Sequence, residues 1–494
     1  MLSTNIAFSR TFVHLILFDY TATHEQTMKS VDQANRDCYR LIITRRKGLE
    51  ILFSSNRPGW SLPRVEILPG LRVTEQLTAK IHAEAGLQAY CLFVLNRSAS
   101  NRNSERTRYA VMEALKPNDR APAGNHWLPF NGGIPPFGDI PEDGAAIIEA
   151  LQEMNRYLDN SKIGPFARPG WLRELFEWVQ NQIDPLGLRV TGAIRQLNAS
   201  STFSLIRLET TGPAIWFKAT GEPNLHELPI SLSLHRLFPG YVPAILGVHP
   251  TWNGWLSEEA VGASLDDVAE SCAWERAAGK LAEFQIASIG KGAALLESSC
   301  KDLRFPKLLE LIDPFIARMV DFMAAQEKRS PQPLSNSNLA LLGQRLKEAC
   351  ALLQEFQLPD TLGLTDFNPG NIIVSPTRCC FLDWAEGCVS HPLITFEYLR
   401  EHARRSLRQG DELGQRIAVA YLRPWQSFFS PDALTQAMAF SPLIAVFVSA
   451  IAGKTWRSLD PVLDPRLAGY FRSLTRRMNR EATEIVERSQ PCPN

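Results

Sequence analysis

Between Thr365 and Gly387 the chain reads TDFNPGNIIVSPTRCCFLDWAEG, and this stretch restricts the local fold more than any other. Asn-Pro-Gly at 368–370 demands a tight turn. The runs IIV and CFLDW then pair as a short hairpin, which returns Asp383 beside Asn371. Asp366 stands five residues before Asn371, and Asp383 twelve after it. One carboxylate able to accept a hydroxyl proton, with an amide oxygen and a second carboxylate able to hold magnesium against phosphates, is the equipment of phosphoryl transfer.

With 494 residues the chain is too long for one hydrophobic core, so two or three domains are expected. The 52 basic residues balance 52 acidic ones, which argues against nucleic-acid and anionic-membrane partners. Nine cysteines lie scattered without CxxC spacing, the pattern of buried thiols in a reducing compartment, and a cytoplasmic location is expected. The early run TFVHLILF lacks the basic flank and cleavage site of a secretory signal. PLIAVFVSAIAG, Pro442 to Gly453, is shorter than the roughly 20 residues that span a bilayer, and reads as a buried helix.

The order of elements is that of an α+β protein. After an extension over residues 1–35, CYRLIITRR and LEILFSS form a hairpin across Lys47 and Gly48. TEQLTAKIHAEAGL carries Leu77, Ile81 and Ala85 at helical spacing and stops at Gly86. AYCLFVL and RYAVMEAL resume the sheet, and NGGIPPFGDIPEDG, Asn131 to Gly144, reads as a loop. PGWLRELFEWVQNQI predicts a helix that connects two domains, 36–160 and the remainder, within a linker over 161–187. From Leu188, FSLIRLE and AIWFKA pair across Thr211, Gly212 and Pro213 in a small sheet reaching residue 264. Helices dominate 265–490.

The Asp366, Asn371 and Asp383 pattern resembles the catalytic and metal-binding loops of the aminoglycoside phosphotransferase and choline kinase superfamily, which has a two-lobed protein-kinase-like fold. The resemblance runs from about Leu188 to Thr475. It implies that Asp366 positions and deprotonates an acceptor hydroxyl, while Asn371 and Asp383 bind Mg2+ on the phosphates of ATP. The family's histidine two residues before the aspartate, which braces the loop, is Leu364 in this chain. No Ala-Pro-Glu segment follows Asp383, which favours a small-molecule acceptor over a protein. His391, before Pro392, reads as a structural turn histidine.

Such an enzyme also needs a lysine on its small lobe, oriented by a carboxylate. Lys218 in AIWFKAT and Glu227 beyond it match that pair in the family resemblance. The phosphate-covering loop falls in QLNASSTFSL, where Ser200 and Ser201 replace the glycines of protein kinases. The hinge falls near Glu259 and Ala260, whose backbone would meet adenine, with Gly262 and Leu265 as landmarks of the large lobe. Acidic pairs such as Asp266 with Asp267, and Glu397 with Glu401, read as solvated helix faces.

WSLPRVEILPGLRVTEQLTAKIHAEAGL resembles a Nudix box that keeps its spacing and loses its chemistry. The positions of its glycine and metal-binding carboxylates hold Val65, Leu71, Ala79, Lys80 and Ala83, and only Glu84 and Gly86 survive. The expected whole is a Nudix-like α/β sandwich without hydrolase activity, followed by a two-lobed phosphotransferase that uses ATP and Mg2+ on a small-molecule hydroxyl. The alternative is a nucleotide-binding pseudokinase with a regulatory role, suggested by Leu364 and the glycine-free loop. Oligomeric state leaves no mark in the sequence.

Overall fold

The structure, a computed structural model, describes residues 36–46, 50–55, 59–100, 106–116, 120–129, 141–328, 330–406, 410–453 and 455–489. The expected extension over 1–35 lies outside them, as does most of the Pro- and Gly-rich segment before residue 141. The described chain divides into two compact units. An amino-terminal unit takes residues up to 228 together with 244–259, and a carboxy-terminal unit takes 229–243 with 260 onward.

The amino-terminal unit contains two sheets. In the first, β1 (Asp37–Arg45) and β2 (Glu50–Ser54) form the expected hairpin, with Thr44 opposite Ile51. β3 (Arg64–Ile67) pairs with β1 and leads to α1 (Val73–Ala85). With β4 (Ala89–Ser100), β5 (Arg106–Ala114) and β6 (Asn125–Pro129) the order is β4-β5-β1-β2-β6. β1 and β5 run parallel and the other pairs antiparallel.

Because side chains alternate along a strand, each face of this sheet presents its own apolar set. Tyr39, Leu41 and Ile43 pack with Leu77 and Ile81 of α1. Ile42, Ile51 and Phe53 pack on the opposite side with Ala146, Ile147 and Ala150 of α2 (Pro141–Asp159). Helices α1 and α2 therefore each share a core with one face of this sheet. α2 begins at Pro141, so the final residues of the segment read as a loop are helical. α1 ends where Gly86 takes φ +64°, the left-handed geometry that glycine adopts without steric cost.

Asp143 pins α2 to the sheet: its buried carboxylate accepts from the Arg40 guanidinium (3.0 Å), the Tyr109 hydroxyl (3.1 Å) and the Leu62 N–H (3.2 Å). Burial raises its pKa above the usual carboxylate range even though Arg40 pulls the other way.

α3 (Trp171–Ile183) is more than the connection its sequence suggested. Leu172, Leu175, Val179 and Ile183 are fully buried and share one core with Ile42 and Val111 of the first sheet and Ile206, Phe217 and Leu256 of the second. Burying each such side chain contributes about 1.5–3 kcal/mol. Glu113, buried on β5, accepts the Gly170 N–H at 2.9 Å and so places a carboxylate at the start of α3.

The second sheet has the order β10-β11-β9-β8-β7 and is antiparallel throughout. Its strands are β7 (Val190–Ser200), β8 (Phe203–Thr210), β9 (Ile215–Thr220), β10 (Ile245–Val248) and β11 (Gly254–Glu258). The two sheets of this unit meet at β4 and β7. Gln196 of β7 is buried there, accepting the Cys91 N–H at 2.9 Å and donating to the Cys91 carbonyl at 2.6 Å. One side-chain amide thereby stands in for a strand partner.

The chain passes between the units within α4 (Glu227–Leu237), again after Pro243, and finally between Glu259 and Ala260. The carboxy-terminal unit is mostly helical. It holds α5 (Ser271–Ala287), α6 (Gly292–Glu297), α7 (Phe305–Ala324), α8 (Asn336–Glu355), α9 (Pro392–Ser406), α10 (Gly410–Trp425), α11 (Pro431–Ile451), α12 (Thr455–Ser458) and α13 (Pro465–Ser489).

α11, with 21 residues, is long and apolar enough to cross a membrane, but it packs as a core helix against α8, α9 and α13. Two small sheets carry the loops. β12 (Ala263–Ser264), β15 (Ile372–Val374) and β16 (Cys379–Phe381) form one; β13 (Lys301–Leu303), β17 (Gly387–Ser390) and β14 (Thr361–Leu364) form the other. Gly262, at φ +145°, lets β12 approach β15 so closely that a Cβ there would stand 2.3 Å from the Val374 carbonyl oxygen.

Candidate active site

The hairpin read from the sequence is present. Ile372 pairs with Phe381, and the Leu382 N–H donates to the Asn371 carbonyl at 2.8 Å, which draws the chain entering Asp383 back to Asn371. The preceding turn is closed locally: Asn368 Oδ1 accepts the Gly370 N–H (2.8 Å), and the Asn368 carbonyl accepts the Asn371 N–H (2.9 Å). Asp383 takes φ +61° and ψ 68°, a conformation uncommon for a residue with a Cβ and concentrated at functional sites. Behind the hairpin Phe284 lies between Tyr241 (4.5 Å, stacked) and Phe381 (5.6 Å), while the Phe381 N–H donates to the Tyr241 carbonyl at 2.8 Å. This aromatic packing holds the strand that delivers Asp383.

An amide oxygen and a carboxylate are hard donors that suit magnesium, which keeps several waters and takes its remaining ligands from substrate phosphates. Among the described residues no group of three or more His, Cys, Asp or Glu forms a self-sufficient metal site. Asn371 and Asp383 bring one donor of each kind to the same hairpin. Asp266, read from the sequence as solvated, is close by: its Oδ2 lies 2.8 Å from where a Cβ on Gly370 would stand. Only the three-dimensional approach of the residues after β12 to the Asn-Pro-Gly turn brings it there.

Asp366 follows β14, which pairs with β17 from Thr361 opposite Ser390 to Leu364 opposite Gly387. Leu364, in place of a histidine, is buried, and its N–H donates to Thr395 Oγ1 at 2.9 Å. The brace on this loop is therefore a threonine hydroxyl from α9 together with the Thr365 N–H bonded to the Glu386 carbonyl (3.3 Å). Glu386 in turn pairs with Lys301, which also donates to the Ala452 carbonyl at 3.1 Å. His391 is buried against Phe305, neither ring nitrogen has a hydrogen-bond partner, and burial lowers its pKa to about 3. It is a neutral packing residue, as its sequence setting suggested.

A cavity opens beside Asp366, entirely within the carboxy-terminal unit. Thr365 and Phe367 flank the aspartate; α11 contributes Pro442, Ala445, Val446 and Ser449; α13 contributes Leu474 and Arg477. α9 contributes Glu397, Tyr398, Glu401, His402 and Arg405. Glu397 and Glu401, read as a solvated face, thus line the cavity, and Glu397 is only 6% exposed. Their spacing of four residues, one turn of α9, was the available signal.

In the amino-terminal unit Lys218, on β9 between Leu205 of β8 and Trp255 of β11, forms an ion pair with Glu227, the first residue of α4. Glu227 is buried, and Lys218 lies 5.8 Å from the Phe203 ring centroid. Ser201 and Thr202 form the two-residue turn between β7 and β8, and Ser200 Oγ accepts the Thr202 N–H at 3.3 Å. Glu259 turns its carboxylate to Arg207, with contacts at 2.6 and 3.0 Å, and accepts from the Trp216 indole at 3.3 Å. The Arg207 bonds, opposed by burial, lower its pKa. Its side chain is thus engaged within the amino-terminal unit.

The box-like segment has folded as strand, turn and helix. Val65 is buried in β3, Leu71 is exposed, and Glu84 pairs with Lys80 at 3.7 Å. Lys80 occupies a position where the resemblance called for metal-binding chemistry, and a lone carboxylate bonded to a lysine cannot assemble a metal cluster.

No protein-family model matches the sequence, and no curated protein matches it. Among solved structures, a choline kinase from Cryptosporidium parvum is similar at 12% identity and a TM-score of 0.43, over 70% of this chain and 97% of its own. A choline/ethanolamine kinase family protein from Mesorhizobium loti is similar at 13% identity and a TM-score of 0.40, over 63% and 94%. A macrolide 2'-phosphotransferase from Brachybacterium faecium is similar at 15% identity and a TM-score of 0.40, over 58% and 96%. These neighbours are choline or ethanolamine kinases and a macrolide phosphotransferase.

Proposed function

We propose that this protein is an ATP- and magnesium-dependent phosphotransferase acting on the hydroxyl of a small molecule. The observation that carries the reading is the hairpin that returns Asp383, in left-handed geometry, to Asn371 just beyond Asp366. Asn371 and Asp383 would hold magnesium on the nucleotide, and the ion would offset charge on the phosphates. Lys218, oriented by Glu227, would bind those phosphates, and the turn at Ser200 and Ser201 would cover them. Backbone groups at Glu259 and Ala260 would bind adenine.

Asp366 would orient the acceptor and accept its proton as the acceptor oxygen bonds to the γ-phosphorus. The bond from that phosphorus to the bridging oxygen breaks, and its electron pair leaves with ADP. The amino-terminal sandwich is in this reading a Nudix-like fold without hydrolase chemistry. Described cysteines that are free and mostly buried suit the cytoplasm.

Purified protein is expected to release ADP only with magnesium and a suitable acceptor from a metabolite panel, and Asp366→Ala is expected to abolish that release. Full acceptor-dependent turnover by Asp366→Ala refutes the assignment. Leu364 and the glycine-free turn favour a second reading, a nucleotide-binding pseudokinase. Magnesium-dependent ATP binding by calorimetry, without turnover across the panel, selects it.

A further inference from the structure

We propose that the cavity beside Asp366 takes a small alcohol with an apolar body and one anionic group, a carboxylate or a phosphate, rather than a polycation. This rests on the phosphotransferase reading and names the acceptor class for it. The argument starts from which charges in the cavity are already satisfied. Besides Asp366, two carboxylates line it. Glu397 accepts from Arg400 (2.6 Å) and from the Ser441 hydroxyl (2.6 Å). Glu401 is surrounded by Arg404 (2.7 Å), Arg405 (2.6 Å) and Arg477 (3.3 Å). An incoming ammonium group would have to displace a guanidinium from either one.

The surplus around Glu401 is positive. Three guanidiniums meet Glu401, and among the described residues only Arg477 has a further carboxylate within 4 Å, Glu481 at 3.5 Å. At this one carboxylate the guanidiniums outnumber the acids they meet, three to two. A guanidinium carries more N–H donors than a carboxylate shared three ways can absorb, and its flat fork suits a second carboxylate or a phosphate. Arg405 and Arg477 both line the cavity.

Burial is the largest influence on Glu401 and pushes its pKa up, but Arg477, Arg405 and Arg404 together bring it below the usual carboxylate range. His402 beside them is held to about 4 by burial and by Arg405, so it is neutral at pH 7 and leaves the arginines as the cationic groups. Across the cavity Pro442, Ala445, Val446 and Leu474 provide an apolar wall. A hydroxyl at Asp366, a hydrocarbon body on that wall and an anion on Arg405 and Arg477 satisfy all three surfaces.

The test uses the full chain and matched probes: 3-hydroxybutyrate, butane-1,3-diol and 4-aminobutan-2-ol, with glycerol 3-phosphate as the phosphate arm and kanamycin as the polycation. Calorimetry reads binding without ATP, and ADP release reads transfer. Expected is at least tenfold tighter binding of 3-hydroxybutyrate or glycerol 3-phosphate than of the diol, with the amine and kanamycin weakest; the two anions separate carboxylate from phosphate. Arg477→Gln should collapse the ratio of anion to diol affinity and Arg477→Lys should retain part of it. Arg405→Gln, at a more exposed side chain, should repeat the collapse should Arg477→Gln fail to fold.

Equal affinities across the matched probes, or tightest binding of a cation, overturn the proposal. So does a preference that survives both glutamine variants. Anion binding without ADP release sinks the phosphotransferase reading and leaves the anion site standing; ADP release driven by kanamycin does the reverse.

Discussion

In sequence, helix α1 resembles a Nudix box and the hairpin after Asp366 resembles a phosphotransferase loop, and only the second holds the oxygen donors that its resemblance calls for. In α1 the buried side of the pattern survives, with Thr74, Leu77 and Ile81 packed and Gly86 closing the helix. The exposed side has been replaced, down to a Lys80–Glu84 pair at 3.7 Å. In the hairpin the donors remain and it is the supporting residue that changed, Leu364 with Thr395 bonded to its backbone. Packing and chemistry occupy different faces of the same segment, so either can erode alone.

The sharpest way to break the comparison is to remove one carboxylate from each place. Asp366→Ala should cut acceptor-dependent ADP release by about a thousandfold, the scale of a lost general base. Glu84→Gln should change neither that release nor any pyrophosphate cleavage, and cleavage sensitive to Glu84→Gln would restore catalysis to the sandwich. The next largest effect is structural. Asp143→Ala strands Arg40, the Tyr109 hydroxyl and the Leu62 N–H, and should destabilise the amino-terminal unit by about 3–5 kcal/mol in denaturant unfolding. A loss near zero would mean α2 is held by its apolar face alone.

Smaller again, Lys218→Met and Glu227→Gln should each lower kcat/KM for ATP by about 10–100-fold, the worth of a charge-assisted hydrogen bond, while binding of 3-hydroxybutyrate stays unchanged. The smallest expected effect is one of sign with pH. His391 and His402 have pKa values lowered to about 3 and about 4, so their contribution is fully present above the unfolded value of 6.5 and is lost as pH falls through the folded values. Asp143 and Glu113 are raised by burial, so their contribution is present below their unfolded values and lost as pH rises through the folded ones. Glu397 and Asp360, also raised by burial, oppose the histidines in the carboxy-terminal unit, and His249 and Glu259, both lowered, oppose Asp143 and Glu113 in the amino-terminal one, but none of these is shifted as far as His391. Acidification from pH 7 to 4 should therefore weaken the carboxy-terminal unit relative to the amino-terminal one in hydrogen exchange, and His391→Leu should reduce the difference.

Much of this was legible because local chemistry dictated it. The pairing of β1 with β2 and the hairpins at Gly212 and after Asn371 all follow from turn residues between apolar runs, and α1 follows from its period and its glycine. What escaped depended on distant partners. Gln196 is an ordinary polar residue on a strand until Cys91 of another sheet meets it. Glu113 is unremarkable until the Gly170 N–H points at it, and Glu397 is a solvated acid by composition until α11 covers it. α3 looked like a tether because its apolar stripe shows that something is buried against it without showing that two sheets are.

The Gln196 clasp bears on what could be cut away. β4 and β7 are each the last strand of their sheet, and each shields the other's open edge. A chain begun at residue 188 would keep every phosphotransfer residue named above, but it would expose β7 along its length and strip Phe217 and Leu256 of the α3 that covers them. Such a truncation should aggregate before its catalysis can be assayed. The first sheet is, in this respect, an internal chaperone that the second sheet never releases.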